Sequence, residues 1–475
     1  MFTGRIEELE QLHSFAESDT RVLMLYGRAG MGKTALLKEF LRSHNGLYYS
    51  AYATTAKREL LLFGKAIRGD QAPSEDPKLE FLLTELDRRI EATGKQEEGF
   101  CLCIDGYASF AKADASFAKI LHDHVKEKWA GTKNKLILCE DSYLNAQKLM
   151  LSPGAVWQDF DGVQMELKAM NFYEANRFFM DALPEEKVLY YGITGGIPYY
   201  LNQVRSTVDE TLETLVFDNT NQSGVMPEKH ISAELREMSY YNCMLETLAS
   251  GKNRVNQISA EVEKPKDVVV PYLTTLINIG VVKKENPITE KNNRKKTRYS
   301  IVNMSDVFWY RYIVPHMDAF FEGEMMKVWE TDISPNMRKY LQQVFIEMCR
   351  DYLLQRSRND DLDFRIDEIG KWWENDDEKK TTEGFDVVAL GEMQEQQAIL
   401  FARCFYKDRP IEMADLKELI DLTRHLKQKE NVYYVIFSKS GFHKNAQTAA
   451  SAIRNIVLIS LEEVCSWNKN NVQKG

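Results

Sequence analysis

Eight consecutive residues, Gly27-Arg28-Ala29-Gly30-Met31-Gly32-Lys33-Thr34, have the types and spacing to hold a phosphate chain. They follow a short apolar run, Val22–Tyr26, and open an amphipathic stretch, the strand-to-helix context that this G-x-x-x-x-G-K-T pattern requires. Three glycines let the backbone curl until successive N–H groups face one anion, and a helix starting near Lys33 adds the positive end of its dipole. Lysine brings a cation to the β- and γ-phosphates, and threonine a hydroxyl for a divalent metal. The expected ligand is ATP with Mg2+, contacted by Gly27, Arg28, Ala29, Gly30, Met31, Gly32, Lys33 and Thr34.

A strand ending in an acid must stand beside this loop to complete the Mg2+ site, and Phe100–Ile104 followed by Asp105 supplies it. Thr34 and Asp105 are therefore the metal candidates. The next residue is Gly106, which offers no base to a water molecule. Hydrolysis would then need another group, such as Glu140 or Asp141 after the following strand; the plainer expectation for both is a solvated charge at a strand end.

Positioning these groups calls for a parallel sheet. Apolar runs at Val22–Tyr26, Leu47–Tyr52, Phe100–Ile104, Lys135–Cys139 and Val163–Leu167 alternate with longer amphipathic stretches, the pattern of βα units. Residues 1–170 read as an α/β ATP-binding core and residues 171–222 as a helical lid interrupted by the Gly195-Gly196-Ile197-Pro198 turn. A polar, turn-rich stretch at 219–224 marks a boundary. Residues 223–303 then give helices at Ser232–Ala249, Val255–Val262 and Pro265–Ile279 and strands at Val281–Lys284 and Thr297–Val302, a winged helix-turn-helix. Residues 304–475 read as a separate mixed α/β domain with strands at Asp386–Leu390, Ala398–Phe401 and Val432–Phe437.

At 475 residues the chain is long enough for about three domains. Its composition, 44% apolar and 28% charged, is that of a folded soluble protein. A net charge of −10 excludes a surface that binds nucleic acid wholesale, so any DNA contact must be confined to one face. The candidate is the wing at 291–298, with five cations and no acid in eight residues; a solvated hairpin tip or a protein-docking module are the alternatives. Seven cysteines without paired spacing imply neither a disulfide framework nor a zinc site. With no secretory leader pattern and no apolar run near ~20 residues, the expected location is cytoplasmic and away from the membrane.

Phe2-Thr3-Gly4-Arg5, Glu7-Glu8-Leu9, the phosphate loop, the strand ending in Asp105, and Tyr191 through Leu201 together resemble the archaeal-type ATPases, a prokaryotic AAA+/STAND-like family. The resemblance spans nearly the whole chain. It implies that Phe2, Gly4 and Arg5 lie near the adenine, that the Gly195–Pro198 turn belongs to the lid, and that a winged helix precedes a C-terminal domain related to restriction endonucleases. The chain departs from the family in three places in its core. Gly106 replaces a usual glutamate, Glu140-Asp141-Ser142 replaces small polar residues, and Gln158 stands where an arginine is usual.

In the C-terminal domain the resemblance puts Asp386 at the acidic position of a nuclease, Arg403 where glutamate is expected and Phe405 where lysine is expected. Arginine repels a divalent metal and phenylalanine offers neither charge nor hydrogen bond. Glu383 adds one carboxylate without restoring the lysine. The domain is expected to be an inactive relative that serves as a structural or partner-binding module. Two functions follow: a nucleotide-dependent switch with weak or uncertain hydrolysis, and alternatively a DNA-binding regulator.

Overall fold

The computed structural model describes residues 2–69, 77–94, 98–217, 231–232, 234–235, 237–376, 381–424, 431–453 and 455–467, apart from the side chains of 375, 376, 381, 382, 423 and 424. The expected linker at 219–224, with the boundary at 222, lies outside them. By internal contacts the chain divides into two compact units: residues 1–169 with 197–199 and 228–236, and residues 170–196 with 200–227 and 237–475.

In the first unit, β1 (Val22–Tyr26), β2 (Gly46–Ser50), β3 (Cys101–Asp105), β4 (Lys135–Glu140) and β5 (Val163–Glu166) form one sheet in the order β2-β3-β4-β1-β5. Every neighbouring pair is parallel. Leu23, Leu25, Leu136, Ile137 and Leu138 of the inner strands are fully buried, which explains why these runs are continuously apolar instead of alternating. Parallel neighbours need crossovers. Helix α1 (Ile6–Glu17) precedes β1, and α2 (Lys33–Phe40), α3 (Ala56–Arg68), α4 (Leu79–Ala92), α5 (Tyr107–Ala113) and α6 (Phe117–Glu127) connect the strands. Because parallel strands end together, Tyr26 registers with Glu140 and Asp105 with Cys139. Gly27, Asp105 and Glu140 thus gather at the carboxyl edge of the sheet, where open α/β sheets bind ligands.

In the second unit, α7 (Pro184–Thr194) stops at left-handed Gly195, φ 56°. Helices α8 (Met238–Ala249), α9 (Val255–Glu261) and α10 (Lys266–Asn278) are followed by an antiparallel pair, β6 (Val282–Glu285) and β7 (Arg298–Ile301). The helix expected from Ser232 begins instead at Met238, because Glu237 takes a left-handed φ of 59° that an α-helix cannot continue through. Next come α11 (Arg338–Arg358), β8 (Arg365–Asp376), β9 (Thr381–Met393), β10 (Gln396–Phe405), α12 (Met413–Arg424), β11 (Val432–Ser438), α13 (Lys444–Ala452) and β12 (Ile456–Ser460). Their sheet runs β12-β11-β10-β9-β8, antiparallel from β8 to β10 and parallel from β10 to β12. Gly192 allows α7 to approach α11: a Cβ there would stand 2.9 Å from Val344 Cγ2 and 3.0 Å from the Tyr340 hydroxyl.

The β6–β7 hairpin is joined to the edge of this sheet. Ile288 N–H donates to Lys371 O (2.9 Å), and Ile288 belongs to the apolar core that includes Trp372, Phe385 and Phe401. Trp373 donates through Nε1 to Lys296 O (3.1 Å), and the Arg298 guanidinium stacks 4.5 Å above the Trp373 ring. Lys291 pairs with Glu368 (2.5 Å) and Lys296 with Glu374 (3.0 Å) and Glu290 (2.6 Å). Three of the five cations at 291–298 are therefore engaged by the protein itself. Arg294 and Lys295 are exposed and have no ion pair among the described residues.

Candidate phosphate-binding site

The loop after β1 takes backbone shapes that favour glycine. Gly27, Gly30 and Gly32 have φ of 151°, 84° and 88°. A Cβ on Gly27 would collide with the Leu167 carbonyl, and one on Gly30 would stand 3.2 Å from Tyr199 Cβ. Gly27 N–H donates to Glu140 O (3.3 Å), and Tyr199 N–H donates to Gly30 O (3.1 Å). Gly32 is the left-handed cap from which α2 starts, so the free N–H groups of its first turn belong to the loop's concave side.

Lys33 is the first residue of α2 and is 3% exposed. Its ammonium donates to Gly27 O and to Arg28 O (3.0 Å), and pairs with Asp141 Oδ1 at 2.5 Å. Thr34 Oγ1 donates to Asp105 Oδ2 (2.6 Å), uniting the two candidate metal ligands. The Tyr48 hydroxyl donates to the same oxygen (2.6 Å), and burial together with the Asp105 carboxylate pushes its pKa up. Glycine turns that admit close approach, a buried lysine at the helix start, and a threonine beside a strand-end carboxylate fit the phosphates of a nucleotide and one Mg2+.

Arg5 is a buried clamp. Only 2% exposed, it donates through Nη2 to Met31 O (3.0 Å) and Lys168 O (2.5 Å), and pairs through Nη1 with Glu8 (2.7 Å). It thereby ties the loop to the end of β5. Gly4 is buried with φ 76° and turns the chain into Arg5; Phe2 is half-buried.

At the strand end after β4 the expectation of two solvated charges needs correction. Glu140 is 5% exposed and accepts Ala108 N–H (2.8 Å) and Ser142 N–H (3.2 Å), with its pKa raised by burial. Its oxygens are committed to the start of α5 and to the turn after β4. Asp141 is 62% exposed, yet it is bound directly to Lys33. The turn carrying it is anchored by Glu234, which accepts Ser142 Oγ (2.8 Å) and Tyr143 N–H (2.8 Å).

Gly106 is more than a missing carboxylate. It has φ 78°, and a Cβ there would stand 2.6 Å from Ala51 O, so the backbone at this point is shaped for glycine. Glutamate does not fit this conformation without strain.

Sequence reading assigned no site role to Tyr48 or Glu234, and read Tyr199 only as part of the Tyr191–Leu201 segment that carries the resemblance. Tyr48 lies on the apolar run expected at Leu47–Tyr52, and only the strand order sets that run beside Asp105. Glu234 and Tyr199 reach the site only through folding of distant chain.

In the C-terminal sheet, Asp386 Oδ2 accepts Cys404 N–H (2.8 Å), and Arg403 Nε stands 4.0 Å from the same oxygen while its Nη1 donates to Gly384 O (2.9 Å). Burial raises the Asp386 pKa. Phe405 is buried in the core. A cation thus faces the acid, and the position expected to hold lysine is part of the packing.

Residues 2–204 match a family described as an ATPase domain predominantly from Archaea, and residues 309–419 match a family of archaeal and bacterial proteins of unknown function. An uncharacterized protein of Methanocaldococcus jannaschii is 26% identical over 450 residues, covering 92% of this chain and 96% of that one. Among solved structures, a Walker-type ATPase of Pyrococcus abyssi is similar in fold, with TM-score 0.51 and 16% identity over 65% of this chain and 96% of that one. No helix among the described residues is long and apolar enough to cross a membrane. Residues 2–204 are thus similar to archaeal-type P-loop ATPase domains, and residues 309–419 to a second, separate family.

Proposed function

We propose that the chain is a Mg-ATP-binding switch whose turnover is weak. The observation that carries this is the convergence of Lys33, Thr34 and Asp105 on a glycine-shaped loop, beside a Gly106 that the backbone does not let become glutamate. In this reading the loop N–H groups and Lys33 hold the phosphates, while Thr34 and Asp105 hold Mg2+, which when bound offsets phosphate charge. Glu140, spent on backbone donors, is not available as a base. Phe2, Gly4 and Arg5 shape the neighbouring nucleoside side.

A switch also needs a route outward. Residues 197–199 belong to the first unit and Tyr199 is bonded to the loop at Gly30, whereas 170–196 and 200–227, on either side in the chain, belong to the second unit. A loop rearranged by nucleotide therefore pulls on a backbone continuous with both segments. A second reading, contact with a nucleic-acid backbone, is supported by the two unengaged wing cations Arg294 and Lys295.

The test measures ATP binding and phosphate release on one preparation, with Lys33→Ala as reference. The expected result is Mg2+-dependent binding that Lys33→Ala loses, with steady-state release close to that of the variant. Equal binding by both proteins would sink the nucleotide site, and release far above Lys33→Ala would replace the switch with a competent ATPase.

A further inference from the structure

The Lys33–Asp141 pair has a consequence beyond binding. A lysine ammonium has three N–H donors, and here two go to the carbonyls of Gly27 and Arg28 while the third faces Asp141 at 2.5 Å. The first two acceptors are the loop's own backbone and move only with it. Asp141 sits on a side chain 62% exposed, so it can leave for water at little desolvation cost. It is the exchangeable partner of the cation that a nucleotide must recruit.

We propose that Asp141 determines nucleotide specificity, acting as a resident anion that a γ-phosphate must displace from Lys33 and thereby setting the preference between nucleoside triphosphate and diphosphate. This rests on the phosphate-site reading above. In loops of this type the backbone N–H groups hold the α- and β-phosphates, and the lysine spans the β- and γ-phosphates. A diphosphate draws most of its binding from the loop amides. A triphosphate adds charge at the end of the site nearest an acid already bound to the lysine.

The surrounding groups sharpen the effect. Glu140, the neighbouring acid, is held by Ala108 N–H and Ser142 N–H, and Asp105 by the hydroxyls of Thr34 and Tyr48, so neither is placed to take over from Asp141 as the partner of Lys33. Asp141 also cannot drift far, because Glu234 anchors the next two residues through Ser142 Oγ and Tyr143 N–H. An acid tethered this way remains near the third phosphate after yielding the lysine, and like charges at such range oppose each other. No sequence motif requires an acid here, where the resemblance leads one to expect small polar residues.

The experiment titrates the full chain with Mg-ATP and Mg-ADP in wild type, Asp141→Asn, Asp141→Glu and Lys33→Ala. The exposed position of Asp141 makes both of its variants compatible with folding, which a melting curve checks. Asp141→Asn is expected to tighten ATP about tenfold, equivalent to about 1.4 kcal/mol, and ADP by less than about threefold, raising the ATP-to-ADP preference. Asp141→Glu, which keeps the charge, is expected to retain the wild-type preference. Equal shifts for the two nucleotides, or none, overturn the specificity role while leaving the phosphate site standing. Nucleotide binding that is absent in wild type, or that survives Lys33→Ala intact, overturns the phosphate site and this role with it.

Discussion

Two encounters between an acid and a cation, one in each unit, use the same chemistry to opposite ends. In the first unit the cation is buried and the acid is exposed: Lys33 is fixed by loop carbonyls while the Asp141 side chain is open to water. In the second unit both members are tied to backbone, Asp386 by Cys404 N–H and Arg403 by Gly384 O, and they stand 4.0 Å apart. The first arrangement leaves a cation whose partner can be exchanged for a ligand. The second satisfies both groups within the fold. Whether an ion pair is a site or a strut is thus decided less by residue type than by which member the backbone holds. The β6–β7 hairpin follows the strut pattern, with Lys291, Lys296 and Arg298 all engaged on β8.

The contrast predicts that damage to the two regions shows up in different measurements. The largest effect is expected for Trp373→Ala, which removes a buried ring, its bond to Lys296 O and the platform for Arg298. Loss of a buried tryptophan typically costs about 3–5 kcal/mol of stability. Urea unfolding should register that loss while ATP affinity remains as in wild type. A cost under about 1 kcal/mol would mean that the hairpin is not held by this joint, and a parallel fall in ATP affinity would break the comparison.

The next effect tests whether a carboxylate at position 106, where the resemblance leads one to expect glutamate, would speed hydrolysis in the first unit. Gly106→Glu places a Cβ against Ala51 O at a positive φ. The expected cost is on the order of 2 kcal/mol, the usual range for a side chain forced into such backbone, with no gain in phosphate release. Thermal melting and a turnover assay on the same sample decide it. A variant that melts like wild type and releases phosphate faster would show that the backbone at 106 relaxes and that only the acid was missing.

Much of this was legible in the sequence, and the limits have physical causes. The phosphate loop, Asp105 and the five parallel strands are local patterns, a motif of eight residues and apolar runs of four to six, so they were read to within a few residues of their observed ends. The three helices and hairpin after residue 237 were legible for the same reason. Strand β8 was not, because register shifts between Ile366 and Glu368 and between Gly370 and Trp372 break its period-two alternation. The partners that matter most at the site are separated by long stretches of chain: Lys33 from Asp141, Tyr48 from Asp105, and Glu234 from Ser142. Their pairing is set by strand order and by the path of the turns. Composition and spacing do not encode it. The same holds for the wing, whose charge run reads as five available cations until β8 is seen to engage three.

That last difference gives the smallest expected effect, and it separates a nucleic-acid surface from a structural one. If the wing touches a duplex backbone, only Arg294 and Lys295 have charge to spare. Each phosphate neutralised steepens the dependence of log affinity on log salt by about 0.9. Replacing both residues by glutamine should therefore flatten that slope by no more than about 2, whereas five available cations would allow about 4.5. Lys291→Gln and Lys296→Gln should leave the slope alone and instead lower stability slightly, since each removes ion pairs inside the fold. A slope that falls with the second pair as well would show that these lysines leave Glu368 and Glu374 for phosphate, making the hairpin a site of the exchangeable kind. Absence of duplex binding even at low salt would assign the whole charge run to holding the hairpin on its sheet.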